Sequence, residues 1–267
     1  MARLISFILA TGAMAAAVLS GPATAFACGS NGYSYAGLVA SQRAFGISAM
    51  VTSVDDFDIL HGHVAAWVGV GGPGEGPGGT NEWLEVGLSR FPGVIGSDVY
   101  YEVALPGRFP VYHQIASSLP AGKAVEVAVL EMHNRPDHWR VSLNGRPVSR
   151  PIRLPGSHDR WSPIATAESW DGGPGHPCNT FLYHFRRLEL AHAAGGGWHL
   201  FSGGSRIESS VTRIRRSPSG YAFLAAEGRP AFLLRPPLRP DPGSGRAWRE
   251  GGRWRTHARW CGRPGED

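Results

Sequence analysis

Two glutamates stand where a β-strand would bring a carboxyl onto an open face. In Glu82-Trp83-Leu84-Glu85-Val86-Gly87-Leu88, alternation places Leu84, Val86 and Leu88 towards a core and turns Trp83, Glu85 and Gly87 the other way. In Ile164-Ala165-Thr166-Ala167-Glu168-Ser169, Glu168 is the one ionisable side chain of its strand. A carboxyl beside an aromatic and a glycine is a common way to line a groove, and two such carboxyls can divide the work of general acid and general base. Taken singly, a strand glutamate is a solvated surface residue.

Other chemistry has less support. The string Gly69-Val70-Gly71-Gly72-Pro73-Gly74 matches a dinucleotide fingerprint in letters only, because Glu75-Gly76-Pro77-Gly78-Gly79 cannot open the helix that such a site requires. No GxSxG, P-loop or HExxH motif occurs. His61 and His63 form an H-x-H pair that a strand would hold on one face, but no third metal ligand accompanies them. Neither a metal nor a cofactor is expected.

The elements that position these residues read as short period-2 runs broken by Gly and Pro. They fall at 46–52, 63–70, 82–88, 99–104, 124–132, 139–143, 164–169, 180–190 and 221–225. Asn144-Gly145 after the 139–143 run signals a type I′ hairpin. No sustained 3.6-residue apolar period is present. The expected fold class is all-β, a two-sheet antiparallel jelly-roll sandwich.

A resemblance joins these pieces. Tyr35 to Ala40, Ala66-Trp67-Val68-Gly69-Val70-Gly71-Gly72, Glu82 to Leu88, Tyr100-Tyr101-Glu102, Pro120-Ala121-Gly122 with Val125-Glu126-Val127, and Ala165-Thr166-Ala167-Glu168 follow one another as in the eqolisins. The sequence resembles this family of glutamic peptidases over roughly residues 35–190. The resemblance implies a secreted sandwich of concanavalin A-like architecture, with a catalytic Gln and Glu on its concave sheet. By position it implies that Glu168 is the catalytic Glu, that Glu85 stands in place of the Gln, that Trp67 lines the cleft and that Glu102 is a cleft acid. Gly71 stands where the family usually carries an Asp.

Three functions remain open from sequence. The first is an acid endopeptidase using Glu168 and Glu85, with a polypeptide substrate. The second is a jelly-roll glycosidase with two glutamates across the sheet and Trp67, Trp83, Tyr100 and Trp170 for sugar stacking. The third is a lectin-like domain that binds a polymer in the same groove without turnover. Glu168 and Glu85 are the candidate catalytic residues, and Trp67, Trp83, Tyr100 and Glu102 the candidate groove residues.

The remaining signals concern address and organisation. Arg3, an apolar run from Leu4 to Leu19 and Ala25-Phe26-Ala27 have the order of a cleavable secretory signal, so residues 1–27 are expected to be removed and the product secreted. The apolar run is shorter than the roughly 20 residues of a membrane span. Residues 28–234 are expected to form the sandwich, and 235–267, rich in Arg, Pro, Gly and Trp, a flexible tail. The tail holds eight Arg and four acids, and with Arg3 it accounts for the whole net charge of +5. The expected domain is therefore neutral, which argues against a nucleic-acid partner. Of Cys28, Cys178 and Cys261, the expected disulfide joins Cys28 to Cys178.

Overall fold

The computed structural model describes residues 32–228 except 56, 58, 174, 175 and 202. The expected leader, Cys28, and the expected tail with Cys261 lie outside these residues. The strands in chain order are β1 (Tyr33–Val39), β2 (Gly46–Ser53), β3 (His63–Gly72), β4 (Glu82–Arg90), β5 (Ser97–Ala104), β6 (Val111–Leu119), β7 (Ala124–Glu131) and β8 (His138–Leu143). They continue as β9 (Arg146–Pro147), β10 (Ile152–Arg153), β11 (Ile164–Trp170), β12 (Phe181–Ala193), β13 (Gly196–Leu200), β14 (Ser205–Glu208), β15 (Thr212–Arg216) and β16 (Phe223–Glu227). No α-helix occurs among the described residues, and no helix there is long and apolar enough to cross a membrane.

The strands form two antiparallel sheets. One has the order β14-β1-β11-β3-β4-β5-β6, and the other runs β10-β8-β7-β2-β12-β16-β15, with β13 on β12 and β9 on β8. Alternation decides what lies between them. Ala36 and Leu38, Val64 to Val70 at every second residue, Leu84, Val86 and Leu88, and Ala165 and Ala167 project inwards from the first sheet. Ile47, Ala49, Val51, Val127, Val129, Trp139, Val141, Phe181, Tyr183, Phe185 and Phe223 meet them from the second, in one contiguous core. The Trp139 indole, fully inside, donates to Ser157 Oγ at 2.8 Å and so loses no hydrogen bond on burial.

Each of the nine expected runs overlaps an observed strand. The Asn144-Gly145 turn has both residues at positive φ, 49° and 74°, as a type I′ hairpin demands. The run at 180–190 conceals a bulge. Pairing with β2 shifts between Arg186 and Glu189, and Arg187 adopts φ 49°, so Phe185 and Leu188 both face the core although they are three residues apart. The run at 221–225 begins two residues early relative to β16. β1, β6, β9, β10, β13, β14 and β15 were not among the expected strands.

Candidate active site

The first sheet carries on its outer face a groove of about 770 Å³. Register explains how it is lined. Across β11, β3, β4 and β5 the residues that share this face run Glu168-Ala65-Ser89 in one row, Thr166-Trp67-Gly87-Tyr100 in the next, and Ile164-Gly69-Glu85-Glu102 in the third. Between the two glutamates the floor therefore consists of small residues with the indole of Trp67 rising from its middle. All six sequence-designated residues, Glu168, Glu85, Trp67, Trp83, Tyr100 and Glu102, line this one groove.

Gly87 and Gly71 show how tightly the floor is built. A Cβ on Gly87 would fall 2.0 Å from the carbonyl oxygen of Ala66, so no other residue fits without moving β3. Gly71 has φ +78°, and a Cβ there would lie 2.2 Å from the carbonyl oxygen of Glu82. The Asp that the eqolisin pattern carries at this position is incompatible with this backbone, on steric and conformational grounds together.

Glu85 is 8% exposed, and the Tyr100 hydroxyl donates to its Oε1 at 2.6 Å. Tyr100 pairs with Gly87 and Glu102 pairs with Glu85, so the bond joins diagonal neighbours across β4 and β5. Burial pushes the Glu85 carboxyl well above the ordinary carboxylate range, the charges of Glu168 and Glu102 push it further, and the Tyr100 bond offsets only part of this. Glu102 is also raised, by burial and by the charge of Glu168, against a 3.2 Å bond from Trp83 Nε1 and the field of a protonated His63. Glu85 is thus a neutral acid well into the range where free carboxyls ionise. Tyr100 is raised as well, by burial and then by Glu85, which keeps it a phenol and a donor.

Glu168 occupies a different setting. Its side chain is 13% exposed, and Oε1 lies 3.4 Å from His63 Nε2. An arc of rings surrounds the pair. Tyr35 stacks on Tyr33 at 6.1 Å, Tyr33 stacks on Trp170 at 6.2 Å, His63 lies 5.9 Å from Phe91, Phe91 meets Tyr112 edge-on at 5.9 Å, and Tyr112 stacks on Tyr100 at 4.9 Å. The two carboxyls therefore share one aromatic-walled groove, with one carboxyl deeply buried and the other beside an imidazole.

The H-x-H pair does not act as a pair. β3 begins at His63, whose ring enters the groove, whereas His61 precedes the strand and packs on His176 at 4.4 Å. Among the described residues no group of three or more His, Cys, Asp or Glu is arranged to hold a metal ion. The sequence reading gave no site role to Tyr33, Tyr35, Ser89, Phe91 or Tyr112, all of which line the groove. Tyr33 and Tyr35 alternate as strand residues do, which was the available signal. Tyr112 lies on the sheet edge in β6, where polar residues on both faces hide the period.

No protein-family model and no curated protein matches the chain. Solved structures do. Scytalidoglutamic peptidase bound to a transition-state analogue inhibitor superimposes with a TM-score of 0.51 at 14% identity, covering 74% of this chain and 99% of that one. The same peptidase with a peptide-based transition-state analogue gives 0.48 at 14% identity with the same coverage. SCP-B, a member of the eqolisin family in complex with the tripeptide Ala-Ile-His, gives 0.44 at 15% identity, again covering 74% and 99%. At such identity the likeness is one of fold: this chain has the concanavalin A-like β-sandwich that scytalidoglutamic peptidase has.

Proposed function

We propose that the protein is an acid-acting glutamic-type endopeptidase in which Glu168 is the general base and Glu85 the electrophilic acid. The observation that supports this is the asymmetry of the two carboxyls in one groove. Glu85 is buried, bonded by Tyr100 and pushed towards its neutral form, while Glu168 stands across the groove beside the His63 imidazole. In the reaction so proposed, Glu168 takes a proton from water, and the resulting hydroxide adds to the scissile carbonyl carbon. The Glu85 O–H donates to the carbonyl oxygen as negative charge develops on it. Collapse of the intermediate expels the amine, which receives the proton held by Glu168. An amide in the eqolisin pattern donates at every pH, whereas Glu85 donates only while protonated, so this version of the site is confined to acid.

The test is a substrate panel. The purified mature protein incubated with denatured casein, xylan and β-glucan from about pH 2 to 7 is expected to cleave casein alone, fastest in acid. Sugar release would instead assign the carboxyls to glycoside hydrolysis. Binding of a polymer without turnover of any would make the domain lectin-like.

We also propose that the chain is exported, with residues 1–27 removed and Cys28 bonded to Cys178, which lies partly buried just ahead of β12. N-terminal sequencing should find Cys28 at or beside the start, and a non-reducing peptide map should find it linked to Cys178. An intact Met1 or a Cys178–Cys261 peptide would refute these two points respectively.

A further inference from the structure

His63, the strand member of the H-x-H pair, is placed to serve the proposed base. His63 and Glu168 are diagonal neighbours across β3 and β11, because His63 pairs with Trp170 and Ala65 pairs with Glu168. At this offset a long side chain reaches its diagonal partner. His63 Nε2 lies 3.4 Å from Glu168 Oε1, with side-chain exposures of 23% and 13%. Such a contact lies at the long end of the hydrogen-bond range.

The imidazole is held by its surroundings on three sides. Tyr33 meets it edge-on at 6.4 Å, Phe91 lies at 5.9 Å and Trp170 at 5.9 Å. Three rings from β1, from the segment after β4 and from the end of β11 thus fix the ring, and the ring in turn reaches one oxygen of the carboxylate. A glutamate has three side-chain torsions, and each conformer that turns away from the scissile bond is an unproductive one. By contrast Glu85 is fixed by Tyr100, and Glu102 by Trp83. His63 is the only side chain among the described residues with a hydrogen-bond contact to Glu168.

We propose that His63 is a positioning residue for the proposed reaction: its Nε2–H holds Glu168 Oε1 and leaves Oε2 as the oxygen that takes the proton from water. An Nε2–H is present in the ε tautomer and in the imidazolium alike, so the hold operates in either charge state. This rests on the peptidase reading for its catalytic consequence but not for its geometry, and the experiment separates the two.

His63→Leu removes the donor and keeps an apolar side chain among the three rings, while His63→Gln keeps an N–H on a side chain of similar reach. With denatured casein or a short peptide in acid, His63→Leu is expected to lower kcat about 100-fold with KM within twofold. His63→Gln should recover at least a tenth of the wild-type kcat. A structure that only packed the groove would not be rescued by the less ring-like Gln. In crystal structures, Glu168 should occupy one rotamer in the wild type and in His63→Gln, and two or more in His63→Leu. This arm needs no activity, so it still decides on positioning if the wild type hydrolyses nothing and the peptidase reading falls. An unchanged kcat in folded His63→Leu, a loss carried by KM alone, or a single unmoved Glu168 rotamer in that variant would each overturn the proposal.

Discussion

Glu168→Gln should abolish hydrolysis, with kcat for denatured casein at about pH 4 falling by roughly 10³-fold or more, the size expected when a general base is removed from a site that relies on it. An amide at this position cannot accept the water proton. Glu85→Gln separates the roles, because it removes a carboxyl without removing the donor. The Glu85 carboxyl is raised by burial first and by Glu168 and Glu102 next. As pH climbs through that raised value the group ionises, the donor disappears, and a negative charge stands where the oxyanion must form. Glutamine does not titrate, so this variant should retain activity within about tenfold in acid and extend it towards neutral pH. A glycosidase behaves in the opposite way, since converting either carboxyl to an amide removes its nucleophile or its acid. Loss of casein hydrolysis in a folded Glu85→Gln would refute the role given to that residue.

The fold itself should be most stable in acid, with its thermal midpoint falling by roughly 10 °C or more between about pH 4.5 and 7.5. Two of the glutamates inside the sandwich, Glu227 and Glu82, are raised by burial. Glu227, on the inner face of β16, is wholly buried with Ser34 Oγ on its Oε1 at 2.6 Å. Burial and the charge of Asp171 raise it to about 7 against the bonds from Ser34 and Ser169. Glu82, at the start of β4, is equally inaccessible and lacks a partner on both oxygens. Burial and Asp137 raise it to about 7 against Arg160. A carboxyl whose folded value exceeds its unfolded one contributes full stability below the unfolded value, near 4.5, and loses it as pH rises through 7. At about 1.4 kcal/mol per pH unit each group is worth on the order of 3 kcal/mol, a large share of a typical folding free energy.

Two groups oppose the trend and mark its acid limit. His184 is lowered by burial and by Arg186, so its contribution is lost as pH falls below about 6.5. Asp137, although partial burial would raise it, is lowered by backbone bonds from His158, Gly156 and Ser157 and by the Ser157 hydroxyl, so its contribution is lost in stronger acid. Thermal scans across this range provide the check, and the double variant Glu82→Gln/Glu227→Gln should flatten the slope. A midpoint that rises steadily from pH 4.5 to 7.5 would contradict the assignment.

Much of this site was legible because strands write their two faces into alternate letters. Leu84-Val86-Leu88 against Trp83-Glu85-Gly87 fixed which way Glu85 points, and the same parity put Glu168 opposite the buried pair Ala165 and Ala167. Pairing across strands was not legible. Nothing local to Tyr100 says that its hydroxyl reaches Glu85, because the bond depends on the register of β4 against β5. The one-face placement of His61 and His63 fails for a related reason. His61, two residues ahead of β3, is not bound by the alternation that turns His63 into the groove, so the two part company at the start of the strand. The fixed backbone at Gly71 also lay beyond sequence, since it is set by the carbonyl of Glu82 on the neighbouring strand.

The position of β11 has a consequence in time. β3, β4, β5 and β6 follow one another and pair as neighbours, so Glu85, Tyr100 and Glu102 can be brought together by local hairpins. Glu168 enters the same sheet only after β7 to β10 have been laid down in the opposite one, and its outer neighbour β1 must have waited unpaired since the start of the chain. Closing such long loops is the slow part of building a β-sandwich. A chain emerging N-terminus first therefore carries the acid half of its proposed machinery early and the base half late, and is chemically unarmed until the sheet is complete.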